Sequence, residues 1–391
     1  MSNQGWSNDE GYAVYVHIPF CVSKCPYCDF VSKSSARDER AAYIKAVREE
    51  ILNCPVAGSR AATLFLGGGT PTELTGDELE SIVDAIDRTF SFDTDAEWTI
   101  ECNPGTVNPA SCDRLYYLGF NRVSIGTQSF KSDQLLRLGR IHSGEDALRS
   151  FNWFRTAGFE NINLDLIFGT PDQSVESWNE DLSRALDLRP EHLSLYNLTI
   201  EQGTPFASLH ARGELPIPSD DIVAQMFESA MDLAERFGYQ QYEISNYALP
   251  GYECVHNLAY WSNSTYLGFG LSAASFVDGV RWVNTGNWES YIEGVKRGMV
   301  PKETEERLGA LAALGEEIML RLRTRFGISP EQLSSKYSTD FNSHFGSCVE
   351  FLIQNGLLVE DFGRLRLTRK GKLLANDVCA EFLNLCRDTA S

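Results

Sequence analysis

Short apolar runs alternate with segments of helical periodicity through the first half of the chain. Runs typical of buried strands cover residues 13–18, 63–66, 98–101, 122–127, 161–167 and 192–196. Between them, the helical pattern covers residues 37–52, 77–90, 110–118, 144–157 and 177–188. Six successive strand–helix units predict an α/β fold with a parallel sheet, either doubly wound or curled into a partial barrel.

The pattern changes in the second half of the chain. A further helix covers residues 220–237. After about residue 300, three helical segments cover residues 303–323, 330–337 and 345–355. Two short strands follow at 357–360 and 364–368, and a last helix closes the chain. Three helices and a β-hairpin predict a mostly helical, winged-helix-like module. The expected domains are a barrel core over residues 1–240, an extension over 241–300 and the C-terminal module over 301–391.

The composition is ordinary for a globular protein, with 391 residues of which 43% are hydrophobic and 23% charged. A net charge of −20 repels phosphate backbones, so nucleic acid is not an expected partner. No apolar run approaches the length of a membrane span, and residues 1–10 show no secretion signal. Ten cysteines at irregular spacing favour a reducing compartment. We expect a cytoplasmic protein without an intrinsic membrane anchor.

Cys21, Cys25 and Cys28 follow the first predicted strand with the spacing C-x3-C-x2-C. Thiolates at this spacing can hold a cuboidal iron–sulfur cluster. A [4Fe–4S] cluster used only for electron transfer normally takes four cysteines, so three local ligands leave one iron open. The alternative is a structural zinc site, which needs a fourth ligand, usually from a second Cys or His pair. The remaining cysteines are scattered and offer no such pair, which favours the cluster.

Polar and glycine-rich residues follow several of the predicted strands, where a parallel barrel gathers its functional groups. Glycines 67–69 would let backbone amides approach a ligand closely, although a tight turn explains them equally well. Glu101 could hold ribose hydroxyls or an ammonium group, or cap a loop. Gln128 ends the fourth strand, and Arg140 follows twelve residues later. Asp165 stands in an otherwise apolar strand, where an unpaired carboxylate is costly to bury, so a ligand-binding role is favoured.

Taken together, these motifs resemble the radical S-adenosylmethionine (SAM) proteins of the coproporphyrinogen III oxidase-like group. The matching segments are residues 15–20, 65–72, 101–104, 124–130, 138–142 and 165–171. The resemblance covers nearly the whole chain. It implies a partial (β/α)6 barrel, a [4Fe–4S] cluster on the three cysteines, and SAM on the open iron.

The resemblance also implies SAM-binding residues, each carried over from its place in a matching motif. They are Tyr15, Gly68, Gly69, Thr70, Glu101, Gln128, Arg140, Asp165, Thr199 and Ala274. Tyr15 would pack near the cluster, and Gly68 would hold the methionine part of SAM. Thr199 and Ala274 are matched in surroundings that differ from those of the family.

Two branches of this group differ at one residue beside the cysteines. The oxygen-independent coproporphyrinogen III dehydrogenase (HemN) has a fourth cysteine two residues after the last motif cysteine, and this chain has Phe30 there. The heme chaperone (HemW) branch has phenylalanine at that position and an additional H-N-x-x-Y-W motif. This chain is similar to that branch, and the candidate heme-binding residues are His256, Asn257, Tyr260 and Trp261.

The chemistry of this second motif suits heme. A neutral imidazole such as that of His256 is a good axial ligand for heme iron, and Tyr260 and Trp261 would supply flat apolar faces. The alternative is a hydrogen-bonded loop histidine beside aromatic core residues, which is the more common environment for such a motif in isolation. Cys254 could be a second soft ligand, although nothing in the sequence requires it.

The resemblance therefore implies a heme chaperone that binds heme and transfers it to acceptor proteins, which would include membrane-bound respiratory enzymes. The role of the cluster would be reductive or conformational. The alternative within the same fold is an oxygen-independent coproporphyrinogen III oxidase, an enzyme that decarboxylates propionate side chains, and Phe30 disfavours it. A third alternative is a zinc-stabilised binding module without redox chemistry.

Overall fold

The predicted strand–helix units form the main body of the protein. The computed structural model describes residues 11–34 and 37–388, so residues 1–10, for which no secretion signal is predicted, lie outside it. The strands are β1 (Tyr12–Ile18), β2 (Arg60–Gly68), β3 (Ser91–Cys102), β4 (Arg122–Gln128), β5 (Asn161–Phe168) and β6 (His192–Asn197). The helices are α1 (Arg37–Leu52), α2 (Gly76–Thr89), α3 (Pro109–Tyr117), α4 (Ser132–Arg137), α5 (Gly144–Ala157) and α6 (Val175–Asp187).

These six strands pair in parallel and in chain order, as predicted. In the described part of the chain the outer strands do not meet, so the sheet stays open, as a partial barrel does. Local sequence sets the helix starts. Thr75 and Glu78 form a capping box at α2, and Ser143 and Asp146 form another at α5.

Each strand has an apolar face and a polar face. On β1, Val14, Val16 and Ile18 are fully buried among the helices, and Tyr15 and His17 alternate with them onto the other side. Polar side chains recur on the strands although they are buried; they include Thr63, Thr99, Arg122, Ser124, Asn163, His192 and Ser194. Parallel strands are usually apolar on both faces, so this polar set marks the interior as a binding space.

The segment after β6 extends the sheet at both edges. Its helices are α7 (Pro205–Ala211), α8 (Asp220–Arg236), α9 (Val255–Trp261) and α10 (Trp288–Lys296). Its strands are β7 (Gln240–Gln241), β8 (Asn246–Ala248), β9 (Tyr266–Phe269), β10 (Ala274–Val277), β11 (Val280–Asn284) and β12 (Lys302–Arg307). β8 pairs antiparallel with β6, and β9 pairs parallel with β1. Among the described residues the result is one sheet of twelve strands.

β12 corrects one prediction, because residues 303–307 were expected to begin a helix. The segment is charged and fully exposed, so its own sequence carries no strand signal. It becomes a strand by pairing with β11, where Glu305 lies opposite Trp282 and Lys302 lies over the Trp282 ring at 4.7 Å. Pairing with a neighbouring strand has therefore overridden local propensity.

The C-terminal module has the predicted helices and hairpin. Its elements are α11 (Ala310–Leu322), α12 (Pro330–Tyr337), α13 (Phe341–Gln354), β13 (Leu358–Asp361), β14 (Arg364–Leu367), α14 (Arg369–Leu373) and α15 (Ala375–Asp388). β13 and β14 form the two-stranded wing. The module has a core of its own, which includes Leu314, Ile318, Phe345 and Phe382. No helix in the described part of the chain has both the length and the apolar character needed to cross a membrane.

A buried carboxyl group joins α1 to the extension. Glu50 on α1 accepts hydrogen bonds from the Tyr291 hydroxyl at 2.7 Å, the Gly270 amide at 2.8 Å and the Asn284 side-chain amide at 2.8 Å. Burial nevertheless raises the pKa of Glu50 to about 7, because the hydrogen bonds only partly offset the loss of solvation.

The raised pKa of Glu50 predicts a specific pH dependence of stability. Because the folded pKa exceeds the unfolded one, the folded protein binds more protons between about pH 4.5 and 7, and stability falls as pH rises through that window. Between pH 5 and pH 8 the wild type should lose about 2.5 kcal/mol relative to Glu50→Gln. Urea unfolding of both proteins tests this, with a substitution of the half-buried neighbour, Glu49→Gln, as the control. Parallel pH profiles for wild type and Glu50→Gln would contradict it.

Candidate functional site

A cavity of about 460 Å³ opens at the carboxyl ends of the parallel strands. It brings together most of the residues predicted for the cluster and for SAM. These are Cys21, Cys25, Cys28, Gly68, Gly69, Glu101, Gln128, Arg140, Asp165 and Thr199. Phe30 also lines the cavity and is 61% exposed. The cluster loop and the strand ends therefore form one site.

The three thiols lie in a loop whose base is closed by backbone hydrogen bonds. The amide of Cys21 donates to Lys33 at 3.2 Å, and that of Cys28 donates to Cys25 at 3.1 Å. Arg140 Nη1 lies 3.5 Å from Cys25 Sγ, and Thr70 Oγ1 lies 3.6 Å from Cys21 Sγ. A guanidinium this close would offset part of the negative charge that a thiolate ligand carries when it binds metal.

This donor set fits a cuboidal cluster. All ten cysteines lie in the described part of the chain and are free. No three His, Cys, Asp or Glu side chains among the described residues converge as a single metal ion requires. A zinc ion would need its sulfurs at about 2.3 Å from one point, whereas the corners of a [4Fe–4S] cluster accept thiols that stand apart around a cavity.

Two buried carboxyl groups face the cavity beyond the cysteines. Glu101 accepts a hydrogen bond from the Gly68 amide at 2.8 Å, and burial raises its pKa to about 7. Asp165 is held by Ser124 Oγ at 2.9 Å and by Asn163 Nδ2 at 2.7 Å, and burial raises its pKa as well. Fixed acceptors at this depth suit ribose hydroxyls or a cationic group of a ligand.

Gln128 has both a strained backbone and an unpartnered side chain. Its φ of 61° is uncommon for any residue other than glycine. Its Oε1 is buried and has no hydrogen-bond partner within the described part of the chain. Strain and an orphaned acceptor at the edge of a cavity together indicate a residue arranged to meet a donor on a ligand.

Several residues of the site escape the motif-based prediction. Asn103 bridges Arg140 and Thr70, with its side-chain amide 2.5 Å from Thr70 Oγ1. Further unpredicted residues on the cavity are Ser124, Asn163, Ser194 and Tyr196. These residues could have been predicted from the sequence pattern, because polar residues recur at alternate positions of β4, β5 and β6 and most of the positions between them are apolar.

Three predicted SAM contacts do not line this cavity. Thr70 is buried behind it and faces a smaller adjacent cleft. The Tyr15 hydroxyl pairs with His17 Nδ1 at 3.0 Å, beneath the cavity floor that Phe65 forms. Ala274 lies on β10, which adds to the sheet beyond β9, and it does not line this cavity. Its contact with SAM stays a prediction.

The candidate heme ligand is enclosed. His256 on α9 is 1% exposed, with Nδ1 2.8 Å from Thr63 Oγ1 and Nε2 2.9 Å from the Tyr260 hydroxyl. Its ring lies 5.0 Å from that of Phe65. Burial lowers the pKa of His256 to about 3, so the imidazole is neutral. Iron ligation at Nε2 would therefore require Tyr260 to release that nitrogen.

A single carboxylate anchors α9. Glu97 accepts hydrogen bonds from the amides of Val255 and His256, each at 3.0 Å, and from the Cys254 thiol at 3.4 Å. Cys254 is thereby engaged as a hydrogen-bond donor. Of the other motif residues, Asn257 reaches the wall of the large cavity, whereas Tyr260 packs edge-on against Tyr266.

Gly68 combines an unusual backbone with close neighbours. Its φ is +105°, and an added Cβ would lie 2.2 Å from His17 Cε1. Gly105 has a φ of +88° with nothing within 4 Å of the added Cβ, which makes it a matched control. We expect Gly68→Ala to lower the free energy of unfolding by about 3 kcal/mol and Gly105→Ala by about 1 kcal/mol. If urea unfolding shows equal losses of stability for the two variants, the proposed steric overlap between the added Cβ of residue 68 and His17 is contradicted.

The open parallel barrel with three thiols at its mouth defines a radical SAM protein, and residues 15–185 match the Radical SAM superfamily model. Residues 310–374 match the model of the HemN C-terminal domain. The chain is 37% identical to the heme chaperone HemW of Bacillus subtilis (strain 168), over 95% of this chain and 99% of that one. It belongs to the HemW family.

Two further similarities agree with that assignment. The chain is 36% identical to the heme chaperone HemW of Escherichia coli (strain K12), over 95% of this chain and 98% of that one. Its fold is similar to the solved structure of coproporphyrinogen III oxidase (HemN) from Escherichia coli, with a TM-score of 0.82 and 26% identity, covering 94% of this chain and 89% of that chain.

Proposed function

We propose that this protein binds heme and transfers it to acceptor proteins. The observation that carries the proposal is its similarity to heme chaperones along nearly its whole length. Phe30 supports the same conclusion, because it stands where the decarboxylase branch has a fourth cysteine. The acceptors, including membrane-bound respiratory enzymes, and a cytoplasmic location are parts of the proposal that rest on the family and on the ten free thiols.

Membership of the radical SAM superfamily implies a [4Fe–4S] cluster and SAM. We propose Cys21, Cys25 and Cys28 as the cluster ligands; when bound, the cluster supplies an open iron for SAM and an electron. Arg140 would neutralise thiolate charge from 3.5 Å. Glu101 and Gln128 would orient SAM by accepting its hydrogen bonds. Phe30 and the strand ends would limit the access of water to the site.

For heme, we propose His256 as the axial ligand and Tyr260 and Trp261 as apolar contacts. The neutral imidazole has the protonation state that ligation requires. Its enclosure means that α9 must first move and that the Tyr260 hydrogen bond must open. Heme binding through His256 would therefore be gated by α9, and its observed rate should level off at high heme concentration.

The second candidate function is oxidative decarboxylation of coproporphyrinogen III. The fold similarity to HemN, with a TM-score of 0.82, favours it. The exposed Phe30 disfavours it, since a side chain without a thiol cannot replace the fourth motif cysteine.

Two assays on one anaerobically reconstituted sample separate the two functions. Hemin is titrated while the Soret band is followed, and coproporphyrinogen is then supplied with SAM, a reductant and an electron acceptor. We expect saturable hemin binding near one equivalent and no decarboxylated porphyrin. A failure of hemin to bind would refute the chaperone proposal, and robust decarboxylation would overturn it even if heme also bound. Stoichiometric zinc without iron or sulfide would refute the cluster.

A further inference from the structure

A buried arginine lies between the large cavity and α9. Arg122, the first residue of β4, is 2% exposed and lines the cavity. Its Nε has no hydrogen-bond partner among the described residues. Burial alone would lower the pKa of Arg122, but nearby groups, foremost Cys254 and Glu97, raise it. The guanidinium therefore lies between the cavity, which it lines, and the Glu97 carboxylate.

On the α9 side, the contact between Arg122 and Glu97 is incomplete. The distance from Arg122 Nε to Glu97 Oε2 is 4.0 Å, too long for a hydrogen bond. The same carboxylate accepts three hydrogen bonds from the start of α9 and so holds His256 in its enclosed position. A carboxylate has about four acceptor sites, so one remains for Arg122.

On the cavity side, Asp165 is a carboxylate that lines the same cavity as Arg122. Its two oxygens are held by Ser124 and Asn163, and its carboxylate faces the cavity in which SAM would bind. SAM carries a sulfonium and an ammonium group. A cation placed beside Asp165 would compensate its charge and repel Arg122, which would leave the guanidinium to Glu97.

We propose that Arg122 is a positioning residue that couples the SAM cavity to α9. A cationic ligand beside Asp165 moves Arg122 toward Glu97, completes their hydrogen bond and holds α9, with His256 on it, in the enclosed position. SAM and heme then oppose each other, and by linkage each lowers the affinity for the other by the same factor. The predicted opposition between SAM and heme rests on the proposed function, whereas the predicted effect of SAM on α9 does not.

The first test measures amide hydrogen exchange in residues 254–262 of the reconstituted protein with and without saturating SAM. We expect SAM to slow exchange by about fivefold or more in the wild type, and to have no effect in Glu97→Gln, which loses the charge that attracts Arg122. Glu50→Gln is the matched control, since Glu50 is also a buried carboxyl with three donors but touches neither Arg122 nor α9. Unchanged exchange in the wild type, or the same slowing in Glu97→Gln, would overturn the proposal.

The second test measures the hemin dissociation constant with and without SAM, and the SAM dissociation constant with and without hemin. We expect equal increases of about fivefold or more in the wild type, and none in Arg122→Lys, which lacks the planar guanidinium that would complete the contact with Glu97. If both ligands bind independently, the coupling is refuted and the chaperone function stands. If hemin does not bind at all, the proposed function fails, and the exchange experiment alone decides the role of Arg122.

Discussion

Cys25→Ser is expected to lower the iron and sulfide content after anaerobic reconstitution by at least about tenfold and to remove the visible absorption of the cluster. Serine cannot replace a thiolate as a soft ligand, and the loop offers no spare cysteine. The fold should remain, because Cys25 is half-buried at a cavity mouth and makes no contact that anchors a strand. Iron and sulfide analysis together with circular dichroism measures both expectations.

Cys102→Ser is the matched control for this variant. Cys102 also lines the cavity, but its thiol donates to the Asn103 carbonyl at 3.4 Å, and burial raises its pKa to about 12. It should therefore stay a protonated thiol and leave the cluster intact when replaced. Loss of the cluster in Cys102→Ser with full retention in Cys25→Ser would show that the wrong thiols had been assigned.

His256→Ala is expected to lower hemin affinity by at least about tenfold, because it removes the proposed axial ligand. The same substitution leaves the hydroxyls of Thr63 and Tyr260 unpaired, so a loss of stability of about 2 kcal/mol should accompany it. Soret titration measures the affinity, and urea unfolding measures the stability. His344→Ala is the histidine control, because His344 is half-buried on α13 beside Phe345 of the separate C-terminal core.

Tyr260→Phe separates the ligand role of His256 from its structural role. It keeps the imidazole and removes the hydrogen bond that occupies Nε2. Hemin should bind to this variant at least as tightly as to the wild type. It should also bind faster, because no hydrogen bond to residue 260 has to open before His256 Nε2 can reach iron. Equal hemin affinity in wild type, His256→Ala and Tyr260→Phe would place the heme elsewhere and remove His256 from the account.

Much of the barrel follows from patterns that are local in the chain. Short apolar runs mark the strands, and the cysteine loop, Gly68, Glu101 and Asp165 all stand at or near strand ends, where parallel topology brings them to one cavity. Capping residues such as Thr75 and Ser143 mark helix starts in the same local way. Such signals need no information about distant contacts.

The features that sequence could not predict depend on distant partners. His256 is enclosed because Thr63, 193 residues earlier, meets Nδ1, and because Glu97, 159 residues earlier, holds its amide. The H-N-x-x-Y-W motif by itself cannot distinguish an exposed ligand from this arrangement. Ala274 likewise does not line the large cavity, because β10 adds to the sheet beyond β9, and only the complete strand order reveals that.

The most direct test of the central claim is heme transfer. Anaerobically reconstituted protein loaded with one equivalent of hemin is mixed with heme-depleted membranes, and the heme in the sedimented membrane fraction is measured over time against free hemin. We expect heme to leave the protein and to form a holoprotein spectrum in the membranes faster than free hemin does. Heme that stays with the protein, or that reaches its acceptors no faster than free hemin, would contradict the proposed transfer of heme.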